Sequence, residues 1–397
     1  MYCVKNVTED LYWVGVSDRR LALFENIYPI PRGVSYNSYL LMDDKTVLLD
    51  TVDKAVGGQF IENLSHVLGS RSLDYLIVNH MEPDHCATIE DVVHRYPEVK
   101  IVGNAKTFTM MKQFFTFDVD SRAVVIKEGE NLNVGKHTLT FAMIPMVHWP
   151  EAMVTYDIYD KTLFSADAFG TFGALNGNIF ADEINFETEW LEDARRYFTN
   201  IVGKYGTQVQ TALKKTAALD IEIICPLHGP VWRENLEWYI EKHQRWSTYT
   251  PEDHNVLILY ASIYGNTESA VNVLAGKLAD AGEKNIAMYD VSSTDPSYLL
   301  AEAFRCDRII FASPTYNAGI FPKMETLLTE LKAHNFQNRK VAVLDNGTWA
   351  ASAGKHMKEM VSQMKNMDIY EESMTVKSAL KEDQMAQLDG IVEFMTK

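Results

Sequence analysis

The stretch Ile77-Val78-Asn79-His80-Met81-Glu82-Pro83-Asp84-His85 constrains the fold of this chain more than any other. An apolar run gives way, within six residues, to two imidazoles and two carboxylates. Pro83 removes a ladder donor and biases its predecessor toward extended backbone, so the run reads as a strand opening into a loop at a sheet edge. His80, Glu82, Asp84 and His85 then crowd one rim of a core. Ionisable groups packed that closely repel and desolvate one another unless a cation joins them. The spacing therefore predicts a metal site.

Three further ligand types stand at the ends of apolar strands. The patterns at 138–146 and 153–164 end at His148 and Asp167, and the strand at 221–225 runs into His228. Mixed nitrogen and oxygen donors suit divalent iron, manganese or zinc. The four cysteines, Cys3, Cys86, Cys225 and Cys306, are scattered without a C-x-x-C pair, which excludes a thiolate centre or a disulfide framework. Asp167 is the natural bridge, since one carboxylate offers an oxygen to each of two cations. Met81, Trp149 and Phe169 flank the ligands with apolar surface.

Around these residues the pattern mixes strands at 34–41, 46–50, 75–79 and 99–103 with helices at 60–67, 87–96, 105–115 and 187–219. Periodicity lapses near residues 246–253, where we place a linker and divide the chain into domains 1–250 and 251–397. Beyond it, five strands alternate with five helices, a pattern that specifies a parallel sheet covered on both faces.

The first strand of that second domain, 256–260, leads into Ser262, Ile263, Tyr264, Gly265, Asn266 and Thr267 at a helix start. Hydroxyls, backbone N–H groups and a helix dipole form an anion cradle there. The loop lacks the lysine of a Walker motif, so a monophosphate ester fits better than a nucleoside triphosphate. Two more strand ends, Pro314-Thr315-Tyr316-Asn317 and Asn346-Gly347-Thr348-Trp349, face the same crevice, with Tyr316 or Trp349 placed to stack on a flat ring.

Composition narrows the setting. The 397 residues carry 54 acidic against 37 basic side chains, a net charge of -17, which argues against a nucleic-acid surface. No apolar run approaches membrane-spanning length and the start does not resemble a signal peptide, so the expectation is a cytoplasmic protein.

The ordered set His80-x-Glu82-x-Asp84-His85, His148, Asp167 and His228 resembles the metallo-β-lactamase superfamily pattern with its usual second histidine replaced by Glu82. That replacement, followed by a domain whose three loops resemble those of flavodoxin, is similar to the flavodiiron proteins. The resemblance spans essentially the whole chain; Cys86-Ala87 departs from a Ser-Gly common in the family, and the Asn346 loop is less glycine-rich. It implies an α/β and α+β architecture: a metallo-β-lactamase-like αββα sandwich followed by a flavodoxin-like, doubly wound, five-stranded parallel sheet. It also implies one iron on His80, Glu82 and His148, a second on Asp84, His85 and His228, Asp167 bridging, and FMN on the three loops.

The activity this implies is reduction of dioxygen to water, of nitric oxide to nitrous oxide, or both. Replacing an imidazole by the hard anion of Glu82 favours iron redox chemistry over a Lewis-acid role. The alternative is a binuclear zinc hydrolase with an appended flavodoxin domain. With no rubredoxin-like cysteine motif, the expected electron source is external: a rubredoxin, or the reduced deazaflavin coenzyme used by some methanogen members. The resemblance further implies a head-to-tail homodimer, or a dimer of dimers, in which each flavin serves the partner's irons.

Overall fold

The computed structural model describes residues 1–397, which fold as two compact units. Residues 1–198 with 207–244 form the first; residues 199–206 with 245–397 form the second. The expected division at 250/251 thus meets a division at 244/245, and the small segment 199–206 joins the second unit, which the sequence pattern did not indicate.

The first unit is built on two sheets. One runs Lys5–Asn6, Leu11–Trp13, Tyr39–Met42, Thr46–Leu49, Tyr75–Ile77, Lys100–Gly103, Ala123–Val125, antiparallel through its first four strands and parallel through the rest. The other runs Asn131–Asn133, Thr138–Met143, Met153–Asp157, Thr162–Phe164, Ile223–Cys225. Consecutive residues Tyr39, Leu40, Leu41 and Val47, Leu48, Leu49 are all buried, so both faces of the first sheet are covered. Strand Tyr75–Ile77 lies between Thr46–Leu49 and Lys100–Gly103, with Leu76 opposite both Leu48 and Ile101. The ligand run therefore leaves the sheet from its middle.

Several expected elements differ, each for a local reason. The single strand at 34–41 is two strands in different sheets, Val34–Tyr36 and Tyr39–Met42. Buried Asn37 and Ser38 break it: the Asn37 amide donates to the Pro226 and Gly229 carbonyls, and the Ser38 hydroxyl to the Asp50 carbonyl. The pattern at 153–164 is a hairpin of Met153–Asp157 and Thr162–Phe164. The loop after Glu82 contains a short helix, Pro83–Cys86, with Pro83 at its first turn where a missing N–H costs nothing. The long helix at 187–219 breaks into Phe186–Glu189, Leu191–Tyr197, a wide turn at Phe198–Val202 and Gly206–Thr216. Gly206 is required at that break, because a Cβ there would sit 2.3 Å from the Ser247 carbonyl oxygen.

The second unit is a parallel sheet in the order Ala287–Asp290, Asp253–Tyr260, Cys306–Tyr316, Lys340–Asn346, Asp368–Ile369, the 2-1-3-4-5 order of doubly wound sheets. The fifth strand is in two pieces, since Met374–Val376 also pairs with Lys340–Asn346. Side chains alternate between two cores. Leu257, Leu259, Ile309, Phe311, Val341 and Val343 pack on one face, and Val256, Ile258, Ile310, Ala312, Ala342 and Leu344 on the other. This two-sided burial places the carboxyl ends of the three central strands, and the loops after them, along one edge.

Candidate metal centre and flavin cleft

Asp50 and Asn79 fix the ligand run where it leaves the sheet. The buried Asp50 carboxylate accepts from the Asn79 backbone and side-chain amides at 2.7 and 2.8 Å, and from the His80 N–H at 3.3 Å. Burial pushes the Asp50 carboxyl up to about 6, although hydrogen bonds from Asn79 oppose the shift. Asn79 in turn accepts from Thr155 Oγ1 and, through its carbonyl, from the Met153 N–H. The second sheet is thereby tied to the first at the point where His80 emerges.

All seven expected ligands converge, in two groups. In the first, Glu82 Oε2 lies 3.2 Å from His80 Nε2 and 2.8 Å from His148 Nε2, and Asp167 Oδ2 lies 3.1 and 3.2 Å from the same nitrogens. In the second, Asp84 Oδ2 is 3.3 Å from both His85 Nε2 and His228 Nε2, while Asp167 Oδ1 stands 3.2 and 3.6 Å from those two. The two oxygens of Asp167 thus address different groups. His85 belongs to the second.

The site fits cations and not hydrogen bonds. Both oxygens of Asp84 and of Asp167 are buried without a hydrogen-bond partner. His85 and His228 point nitrogens at one another across 3.0 Å. Donors held about 2.1 Å from one cation lie about 3.0 to 3.4 Å apart, and the separations here, 2.8 to 3.6 Å, bracket that spacing. Burial opposes charging these groups, yet opposite charges prevail. His148 and His80 hold the Glu82 carboxyl below the usual range, His80 and His85 do the same for Asp167, and the carboxylates raise His148 to about 9. Protons on the imidazoles occupy the electrostatic role that a metal ion takes, so binding one would release them.

The sequence reading missed the groups that aim these ligands. Buried Glu151 accepts from His80 Nδ1 and the Met81 N–H, both at 2.8 Å, which leaves Nε2 as the ligating nitrogen. The Ser35 carbonyl accepts from His228 Nδ1 at 2.8 Å. Glu151 follows His148 by three residues and was readable as an acid at a strand start; Ser35 lies 193 positions from His228 and left no local signal. Tyr197 was hidden in the overextended helix. Its phenol is buried with no hydrogen-bond partner and its ring stands 5.4 Å from that of His228. Burial, then the charges of Asp167, Glu82 and Asp84, keep it protonated. Gly229, at φ +79°, completes the turn after His228, and a Cβ there would meet Thr171 Cγ2 at 2.2 Å.

In the second unit a cleft of about 440 Å3 opens beyond the strand ends. Ser262, Ile263, Tyr264, Asn266 and Thr267 line it, with Pro314, Thr315 and Asn317 from the next strand end and Asn346, Gly347, Thr348 and Trp349 from the third. Gly265, at φ +87°, turns the chain into the helix Asn266–Asp280. No lysine or arginine lines the cleft, which fits a phosphate ester held by neutral donors and a helix N-terminus. Tyr316 departs from the expected arrangement, because its ring lies edge-on to Phe321 at 5.9 Å and not along the cleft. Trp349 lines the cleft with 81 % of its surface exposed, leaving a flat ring open. Ala318, Ala350 and Ser378 also contribute, and the Ser378 hydroxyl lies 2.8 Å from that of Thr348.

Known proteins match the chain across both units. Residues 34–229 match the ODP family beta lactamase model and residues 257–388 the flavodoxin domain model. An anaerobic nitric oxide reductase flavorubredoxin of Vibrio vulnificus is 31% identical over 88% of this chain and 71% of its own length. The chain belongs to the flavodiiron protein family. The rubredoxin oxygen:oxidoreductase of Desulfovibrio gigas superposes with a TM-score of 0.92 at 28% identity, covering 99% of this chain and 97% of that one. A flavodiiron protein of Giardia intestinalis shares the fold, with a TM-score of 0.92 at 24% identity over 99% and 96% of the two chains. Both expected domain folds are therefore present, and the zinc-hydrolase alternative is set aside.

Because Glu151 fixes the tautomer of His80 in this flavodiiron chain, Glu151→Gln is expected to weaken metal retention by about 10- to 100-fold. Competition with a chelator, followed by metal analysis of the protein, measures it. Retention equal to that of the parent would contradict the role.

Proposed function

We propose that the chain is an FMN- and diiron-containing oxidoreductase that reduces dioxygen to water, nitric oxide to nitrous oxide, or both, drawing electrons from an external donor. The observation that carries this reading is the splitting of the Asp167 oxygens between two donor groups at 3.1 to 3.6 Å. His80, Glu82 and His148 are assigned to one iron, Asp84, His85 and His228 to the other, and Asp167 to both. The FMN phosphate is assigned to Ser262, Ile263, Tyr264, Gly265, Asn266 and Thr267, and the ring to the loops of Pro314-Thr315-Tyr316-Asn317 and Asn346-Gly347-Thr348-Trp349. When bound, the irons and the flavin supply the electrons for the reduction.

The chain's own residues do the rest. Three buried carboxylates give the site an anionic, hard-oxygen character, which favours higher-valent iron over zinc. Met81 and Phe169 are buried beside the ligands and the Trp149 ring stands 5.4 Å from that of His80, apolar surface that keeps water from a small gas. Tyr197 supplies an O–H to an oxygen atom of the bound substrate, since no acceptor in the protein takes it.

The names of two relatives, a flavorubredoxin and a rubredoxin oxygen:oxidoreductase, support a rubredoxin-type donor; a reduced deazaflavin is the second candidate. These residues contain four cysteines and no C-x-x-C pair to hold a rubredoxin iron of their own. Four free thiols, and no helix long and apolar enough to cross a membrane, support a cytoplasmic location, which cell fractionation checks. Exposed Leu23 and Ile27 on the first unit and Tyr264 and Trp349 at the cleft support a head-to-tail homodimer, or a pair of such dimers, that covers them.

Stopped-flow oxidation of the fully reduced protein, with dioxygen and with nitric oxide in parallel, tests the reaction. Tyr197→Phe is expected to keep its metals and flavin while turnover falls on the order of 100-fold, the usual loss when a preorganised donor is removed. Unchanged turnover would exclude the role, and consumption of neither gas by the parent would exclude the function. For the dimer, an Asp167→Asn chain mixed with a chain altered at Ser262 and Thr267 is expected to recover part of the activity after subunit exchange. No recovery would count against transfer between subunits.

A further inference from the structure

A cavity of about 610 Å3 opens in the first unit, and none of the seven ligand residues lines it. Its floor is apolar, formed by Val16, Val56, Leu175 and Ile179, each at most 9% exposed. Its rim carries Lys5, Arg19 and Arg20. The walls are fixed by buried Asn63, whose side-chain oxygen accepts from the Cys3 N–H and from Gln59 Nε2 and whose amide donates to the Val14 and Gly15 carbonyls. This is a built concavity and not a loose fold of the surface.

The charges in it are unbalanced. Asp18 is the one carboxylate in the lining, and it is committed to the backbone N–H groups of Arg20 and Leu21. Arg19 is occupied by the Leu175 carbonyl and by Asn176 Oδ1. The ammonium of Lys5 and the guanidinium of Arg20 pair with no group of the chain. In a protein of net charge -17, two uncommitted cations over an apolar floor are the complement of one kind of molecule. We propose that this cavity binds an organic anion with an apolar body, its carboxylate, sulfonate or phosphate head against Lys5 and Arg20 and its body on the floor below.

The position gives the site a bearing on the metal centre. The lining strand Val16–Asp18 pairs with Val34–Tyr36, Ser17 opposite Ser35, and the Ser35 carbonyl is the group that orients His228. The ligand therefore lies one strand from a residue of the second donor group. The inference itself rests on the cavity alone and stands whichever metal the site holds.

The test is calorimetric titration of the full-length, metal- and flavin-loaded protein with 8-anilinonaphthalene-1-sulfonate, beside the uncharged N-phenyl-1-naphthylamine. One saturable sulfonate site per chain is expected, with the uncharged analogue at least about 10-fold weaker. Lys5→Gln with Arg20→Gln is expected to weaken sulfonate binding by a similar factor. Gly58→Phe is expected to abolish it, because Gly58 lines the cavity and a Cβ there meets nothing within 4 Å, which leaves open space for a larger side chain to occupy. Both variants should keep the parent's thermal stability and gas consumption. Absence of a saturable site, equal binding of the uncharged analogue, or binding indifferent to Gly58→Phe would each overturn the proposal; the first is also the result expected if a second copy of the chain covers the cavity.

Discussion

Three carboxylates, Glu82, Asp84 and Asp167, are buried together at the ends of strands that could not otherwise tolerate them. An ionised carboxylate withdrawn from water costs several kcal/mol unless charge and hydrogen bonds compensate it. The carboxylate oxygens of Asp84 and Asp167 have no hydrogen-bond partner, so the compensation must be charge. Four imidazoles surround them, and two cations shared through Asp167 would give partners to both of its oxygens and to Asp84 Oδ2. The arrangement of the two sheets follows from this demand, since each contributes strand ends to the same point.

Holding those groups still falls to residues with no contact with a metal. Asp50 and Asn79 clamp the ligand run and reach across to Thr155 in the second sheet. Asn37 does the equivalent for the His228 turn through the Pro226 and Gly229 carbonyls. Glu151 and Ser35 select the nitrogen each histidine presents. A polar network of this kind is stable only when complete, and apart from the ligands themselves it leaves few atoms without partners. The flavin cleft is simpler: a sheet buried on both faces ends in three loops, and neutral donors with one helix terminus do the recognition.

The ligands were legible in the sequence because each ends an apolar strand, a signal that needs no knowledge of the partner. The groups that orient them were not, since Ser35 and His228 or Asn37 and Gly229 meet only after the sheets close. Period-two patterning located the strands but could not detect that Asn37 and Ser38 divide one into two, because the cause is a hydrogen bond to a turn nearly 190 residues away. Helical periodicity ran through residues 187–219 for a similar reason: the break at Gly206 answers a backbone contact with Ser247. In the cleft, first-loop residues obeyed local chemistry, whereas Tyr316 turned toward Phe321 and Ser378 arrived from a segment with no motif. Local signals thus carried the chemistry, and long-range contacts carried its precision.

The donor set is proposed to select a pair of irons that works together with a bound flavin. Metal and flavin analysis of protein purified anaerobically, with Mössbauer spectroscopy on iron-57-enriched samples, tests it most directly. Two irons and one FMN per chain are expected, with the irons magnetically coupled through their shared ligand and both lost in Asp167→Asn. Two zinc ions and no flavin would contradict it.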